Sequence, residues 1–144
     1  MASPPPGAAP PTRVLVVDDD VLMCRFLQRR LERHGFVVAV EDSAEDALER
    51  LAAEEFDLVL SDLNLTGVDG LALTRQLAAS GFDLPVILIS GSVTREVAAS
   101  AVLGGAWDCL AKPVNPGVLV ASMERAHQHH LLEKELRQRR RPTT

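Results

Sequence analysis

Three aspartates stand in a row at Asp18, Asp19 and Asp20, directly after the aliphatic run Val14–Val17. Further along, Asp62 and Asn64 follow the stretch LVLS, Ser90 closes PVILIS, and Lys112 follows WDCLA. Two unit charges about 4 Å apart repel by roughly 4 kcal/mol at a surface-like dielectric, so carboxylates packed this way call for a cation. The donors are oxygens, without His or Cys among them, which suits a hard ion. Mg2+ takes one or two carboxylates and completes its shell with waters and phosphate oxygens. With an ion in place one carboxylate can serve as a nucleophile, and aspartate is an acceptor of phosphoryl groups. A lysine and a hydroxyl aimed at the same point would neutralise and hydrogen-bond the phosphoryl oxygens.

These residues lie far apart in the chain, so the elements between them must gather them. Val14–Val17 is a continuous aliphatic run, as expected for a strand covered on both faces. From Val21 to His34, Met23, Phe26, Leu27 and Leu31 recur at helical spacing, and Gly35 ends the helix. Val37–Val40 is a second short strand; Ser43 caps a helix with the stripe Ala44, Ala47, Leu48 and Leu51. Leu58–Leu60 gives a third strand, and Leu71, Thr74, Leu77 and Ala78 mark the helix that stops at Gly81. Pro85–Ser90 is the most strand-like segment of all. Thr94 caps a helix carrying Val97, Ala101 and Val102, broken at Gly104–Gly105, and Trp107–Leu110 is the fifth strand. Asn115 reads as an N-cap with Pro116 at the first helical position, opening a helix that extends to Arg141.

Five short strands alternating with helices argue for βαβ units and an α/β fold with a parallel sheet. Open parallel sheets place their sites beyond the carboxyl ends of the strands, and that edge is where Asp18, Asp19, Asp62, Asn64, Ser90 and Lys112 fall.

Taken in order, VLVVDDD, LVLSDLNLTGVDG, VILISG and GAWDCLAKP resemble the receiver domain of bacterial two-component response regulators, over roughly residues 13–130. The resemblance implies a flavodoxin-like (βα)5 doubly wound sheet of strand order 2-1-3-4-5, with an extended C-terminal helix here. It also implies phosphoryl transfer, dependent on Mg2+, from a sensor histidine kinase or phosphotransfer protein. Asp62 would be the phosphoacceptor. Asp19 would hold the metal directly and Asp18 partly through water, joined by Asp62 and the Asn64 backbone carbonyl. Ser90 would be the switch hydroxyl, Lys112 the phosphate-binding lysine, and Lys112–Pro113 a cis peptide. Such a module is a signalling switch in a phosphorelay, not an enzyme, and would sit in the cytoplasm. Three features depart from the family pattern. Cys109 stands where Tyr or Phe is usual, and Trp107, placed on the same strand face by the period of two, is a candidate substitute in signalling. Leu65-Thr66-Gly67 replaces Met-Pro-Gly, a difference expected to alter only loop stiffness. Asp20 extends the acidic pair as a solvated helix-start residue.

Two other readings compete. A pseudo-receiver, binding partners without phosphorylation switching, draws support from Cys109. A haloacid-dehalogenase-type phosphatase also uses an aspartyl phosphate but wants a second Asp where Asn64 stands, and is set aside.

The rest of the chain bounds the function. At 144 residues, 47% hydrophobic and a net charge of −5, it suits one domain and is a poor candidate for direct nucleic-acid binding. No apolar run reaches the roughly 20 residues that cross a bilayer. Residues 1–12, with five prolines, read as a disordered, extended leader. Cys24 and Cys109 lack metal or disulfide spacing; Cys24 reads as core packing. His127, His129 and His130 read as a solvated helix face. The last helix, about 39 Å long from Pro116 to Arg141 at 1.5 Å per residue, exceeds what the domain needs. Residues 131–144, with Leu131, Leu132, Leu136 and a basic run, suit a homodimer seam or a linker to a downstream effector.

Overall fold

The computed structural model describes residues 10–140. Five strands and five helices alternate: β1 Arg13–Val17, α1 Val21–Arg33, β2 Val37–Glu41, α2 Ala44–Ala53, β3 Leu58–Asp62, α3 Gly70–Ala79, β4 Val86–Ser90, α4 Arg95–Leu103, β5 Asp108–Ala111 and α5 Pro116–Arg140. The strands form one parallel sheet in the order β2-β1-β3-β4-β5, the flavodoxin-like arrangement expected. Residues 1–9 of the leader, and Arg141 at the end of the last helix, fall outside the described residues.

The aliphatic runs are continuous because both sheet faces are covered. Val14, Val16, Leu58, Leu60, Ile87 and Ile89 face one way, against Leu27 and Leu31 of α1 and Leu119, Met123 and Ala126 of α5. Leu15, Val17, Val59, Val86 and Leu88 face the other, against Ala44, Ala47 and Leu51 of α2, Leu73 and Leu77 of α3, and Ala101 of α4. Each fully buried Leu or Ile contributes roughly 1.5–3 kcal/mol over an exposed one, which makes these two layers the main stabilising term.

Helix starts are fixed by side-chain oxygens. Asp20 accepts from Leu22 and Met23 N–H, Ser43 from Asp46, Asp69 from Ala72, Thr94 from Val97, and Asn115 from Gly117 and Val118. Each cap follows the carboxyl end of a strand, so every helix begins beside the same sheet edge.

Several expected faces shift. Phe26 is exposed under the guanidinium of Arg30, because Cys24, Leu27 and Leu31 already fill the α1 stripe. In α3 the core residue is Leu73, with Leu71 only half-buried and Ala78 exposed. Val102 is exposed, leaving Ala101 as the one buried residue of α4. Strand β4 starts at Val86 and not at Pro85, and β5 starts one residue later than expected, at Asp108. His130 is buried and not solvated, since it continues the Met123–Ala126 stripe one turn on.

Candidate functional site

Register brings the expected residues together. Val17 lies opposite Ser61, Asp62 opposite Ile89, and Ser90 opposite Ala111. Asp18, one residue past β1, therefore meets Asp62 at the end of β3, and Lys112, one residue past β5, reaches over Ser90 toward both.

The lysine is the centre of the arrangement. Its Nζ donates to Asp62 Oδ2 at 2.8 Å and lies 3.7 Å from Asp18 Oδ2. Ligand oxygens of Asp18, Asp19 and Asp62 all lie within 4.8 Å of one another. Asp18 and Asp62 are buried, whereas Asp19 is exposed at the rim. Backbone N–H groups orient both buried carboxylates: Asp18 Oδ1 accepts from Asp20 N at 2.9 Å, and Asp62 Oδ1 from Asn64 N at 2.9 Å.

The charge crowding leaves a signature. Burial pushes the Asp18 carboxyl above its ordinary value; the charges of Asp62 and Asp19 add to this, and the Asp20 N–H and Lys112 offset it only in part. Burial would lower Lys112, but its bond to Asp62 and the charge of Asp18 outweigh that and hold it above the usual lysine value. Beneath the site, the Cys24 thiol donates to the Asp18 carbonyl at 3.1 Å. Burial first, then Asp18 and Asp20, push that thiol up to about 11, so it stays protonated.

Ser90 sits in a looser set of contacts. Its Oγ accepts from Ser92 N at 3.2 Å and from Asn64 Nδ2 at 3.5 Å, and donates to Ser92 O at 3.4 Å. The Lys112–Pro113 bond is cis. The donor set of three carboxylates, free of nitrogen and sulfur ligands, fits a hard divalent ion such as Mg2+.

A family model for the response regulator receiver domain matches residues 14–124. The chain belongs to that family. Among relatives of this receiver domain, the C4-dicarboxylate transport transcriptional regulatory protein DctD of Rhizobium meliloti (strain 1021) is 40% identical over 135 residues, covering 94% of this chain and 29% of that protein. The crystal structure of NtrX from Brucella abortus superposes with a TM-score of 0.85 at 32% identity, over 93% of this chain and 31% of that one. A CheY-like receiver domain protein from Methanospirillum hungatei JF-1 gives 0.80 at 26% identity, over 86% and 99%. The chain spans less than a third of the length of the curated relatives it matches.

The receiver domain departs from expectation at its aromatic. Trp107 precedes β5 and its backbone N–H donates to Val86 O at 2.7 Å, at the opposite end of the sheet from Lys112. Its ring packs on His129 of α5, centroids 5.0 Å apart, whereas Cys109 packs into the other layer, with α2, α3 and α4. The period of two holds only inside a strand, and the chain enters β5 from Gly105 at φ +103°, so the two side chains do not share a face.

Three residues escaped sequence reading. Cys24 is buried in the core as expected, but its thiol also donates a hydrogen bond to the Asp18 carbonyl. Gly70 is required because a Cβ there would lie 2.4 Å from Asp62 O. Thr66 does more than set loop stiffness: its Oγ1 donates to Asp19 Oδ2 at 2.9 Å and its N–H to the same oxygen at 3.3 Å. Thr66 and Asp19 are 47 positions apart, and no local pattern joins them.

Proposed function

We propose that Asp62 accepts a phosphoryl group from a phosphohistidine of a sensor histidine kinase or phosphotransfer protein. In that transfer the donor N–P bond breaks, an O–P bond forms on the Asp62 carboxylate, and the donor imidazole takes back a proton from water. Asp18, Asp19, Asp62 and the Asn64 carbonyl are proposed to hold Mg2+, which when bound would offset the acidic charge and neutralise phosphoryl oxygens. Lys112 Nζ, already on Asp62 Oδ2, is placed to follow the charge onto the phosphoryl group, and the Ser90 hydroxyl to bond one of its oxygens.

The observation that carries this reading is the lysine poised at 2.8 Å on a buried aspartate ringed by two more carboxylates. A site so complete favours the switching receiver over the pseudo-receiver. The output proposed for residues 10–140 is a change in protein contacts, in the cytoplasm, toward a downstream effector. No helix among the described residues is long and apolar enough to cross a membrane. Leu131, Leu132 and Leu136 of α5 are exposed, as a homodimer seam or linker beyond a receiver body ending near residue 130 would require.

Acetyl phosphate with Mg2+ should add one phosphoryl group, seen by intact mass, removed by hydroxylamine and absent from Asp62→Asn. Equal labelling of Asp62→Asn would overturn the assignment of Asp62. No labelling of the unmodified protein, by small donors or by kinases, would return the pseudo-receiver.

A further inference from the structure

We infer that Thr66 is a positioning residue for the metal site: its hydroxyl and backbone N–H lock the Asp19 carboxylate toward Asp18 and Asp62 before any ion arrives. The inference rests on the proposal that these three carboxylates hold Mg2+. Asp19 is the exposed member of the trio, and its two like-charged neighbours would drive a free side chain out toward solvent. Thr66 opposes that with two charge-assisted bonds, at 2.9 and 3.3 Å. Both fall on Oδ2, and among the described residues no hydrogen bond engages Oδ1. One oxygen is thus tethered and the other is left for a ligand.

The tether also joins two loops. Asp19 belongs to the β1–α1 connection and Thr66 to the β3–α3 connection, so the contact fixes the distance across the mouth of the site. The two groups do different things. The N–H is supplied by any residue except proline, while the hydroxyl is supplied by Thr or Ser alone. Removing an outer partner of a ligating carboxylate weakens metal binding about 10- to 100-fold, because the ordering must then be done when the ion binds.

Calorimetric titration of Mg2+ into metal-free protein tests this on the full chain. Thr66→Val, which keeps the N–H, should weaken binding roughly 10-fold, Thr66→Pro further, and Thr66→Ser should restore it to within about twofold. Labelling by acetyl phosphate should slow in Thr66→Val at low Mg2+ and return to the unmodified rate at saturating Mg2+, which shifts the metal requirement and leaves the maximal rate alone. Unchanged affinity in Thr66→Val would overturn the inference, as would tighter binding, which would mean that the tether competes with the ion. Failure of Thr66→Ser to restore affinity would overturn the role of the hydroxyl. Absence of Mg2+ binding by the unmodified protein would instead overturn the metal site itself, before Thr66 is at issue.

Discussion

Replacing Lys112 by alanine removes the cation that faces two buried carboxylates, and the size of the effect follows from the geometry. Nζ lies 2.8 Å from Asp62 and 3.7 Å from Asp18, distances that correspond to roughly 6 and 4.5 kcal/mol of attraction at an effective dielectric of about 20. Not all of this appears as stability. The lysine recovers hydration in the unfolded chain, and Asp18, already pushed toward its neutral form by burial, can take up a proton when the lysine leaves. Stranding a buried charge by deleting its partner costs about 3–5 kcal/mol, and the lower end is expected here because the lysine is partly solvated. A loss of about 3 kcal/mol is a large share of the roughly 5–15 kcal/mol that holds a domain together.

The assay is urea unfolding in EDTA near neutral pH, comparing midpoints at unchanged slope. The reasoning makes two further demands. Mg2+ should stabilise Lys112→Ala more than the unmodified protein, since lysine and ion compete for the same carboxylate; the increment follows RT ln(1 + [L]/Kd). Asp62→Asn should rescue Lys112→Ala in EDTA by removing one of the stranded charges. A Lys112→Ala protein within about 0.5 kcal/mol of the unmodified one in EDTA would refute the reasoning, because surface pairs contribute that little. A double variant less stable than Lys112→Ala alone would show that Asp62 holds the fold and does not strain it.

Gly70→Ala should destabilise by roughly 1–3 kcal/mol, since its Cβ would meet the rigid backbone of Asp62 at 2.4 Å, whereas Gly91→Ala, with nothing within 4 Å, should leave the urea midpoint nearly unchanged. The buried His130 should make stability fall with acid: burial, the largest influence, lowers its folded value below 6.5 and Asp83, 3.8 Å away, offsets this only in part. The unfolded chain then binds the proton first, so stability is full above pH 6.5 and is lost as pH falls through that value toward the folded one. Facing Asp83, Glu133, Lys134 and Arg137, His130→Gln should flatten the difference between midpoints at about pH 7.5 and 5.5, and an unchanged difference would assign it to other groups.

The sheet and most of the acidic site were legible because both follow from periodicity and a single topological rule. Aliphatic runs broken by capped helices imply a parallel sheet, and a parallel sheet brings whatever follows each strand to one edge; Asp18, Asp62, Ser90 and Lys112 needed nothing more. Trp107 leaves the expected face because it stands one residue before β5, outside the segment where alternation applies. The burial of His130 does have a signal in the sequence: Met123, Ala126 and His130 keep the buried spacing, and only the polarity of the ring argues for solvent. Thr66 could not have been found, since its partner is set by how two loops approach and not by any local pattern.

The same distinction between tight and loose contacts bears on how the proposed chemistry would leave the site. Lys112 grips Asp62 at 2.8 Å, but every contact of the Ser90 hydroxyl is longer, from 3.2 to 3.5 Å. A charged phosphoryl oxygen is a stronger acceptor than the Ser92 carbonyl, so it would draw the hydroxyl away and take residues 90–92 with it. Those residues lead directly to the Thr94 cap of α4, which buries Ala101 alone and exposes Val102 and Leu103. Helix α5, by contrast, is fixed by Leu119, Val120, Ser122, Met123, Ala126 and His130. Displacement follows the element with least to lose, because local opening costs least where few apolar contacts are broken. Cys109 adds no ring to resist or relay the shift, and Trp107 lies at the far edge against His129. On the proposed chemistry the change would run from Ser90 into α4, a route that needs no aromatic at position 109.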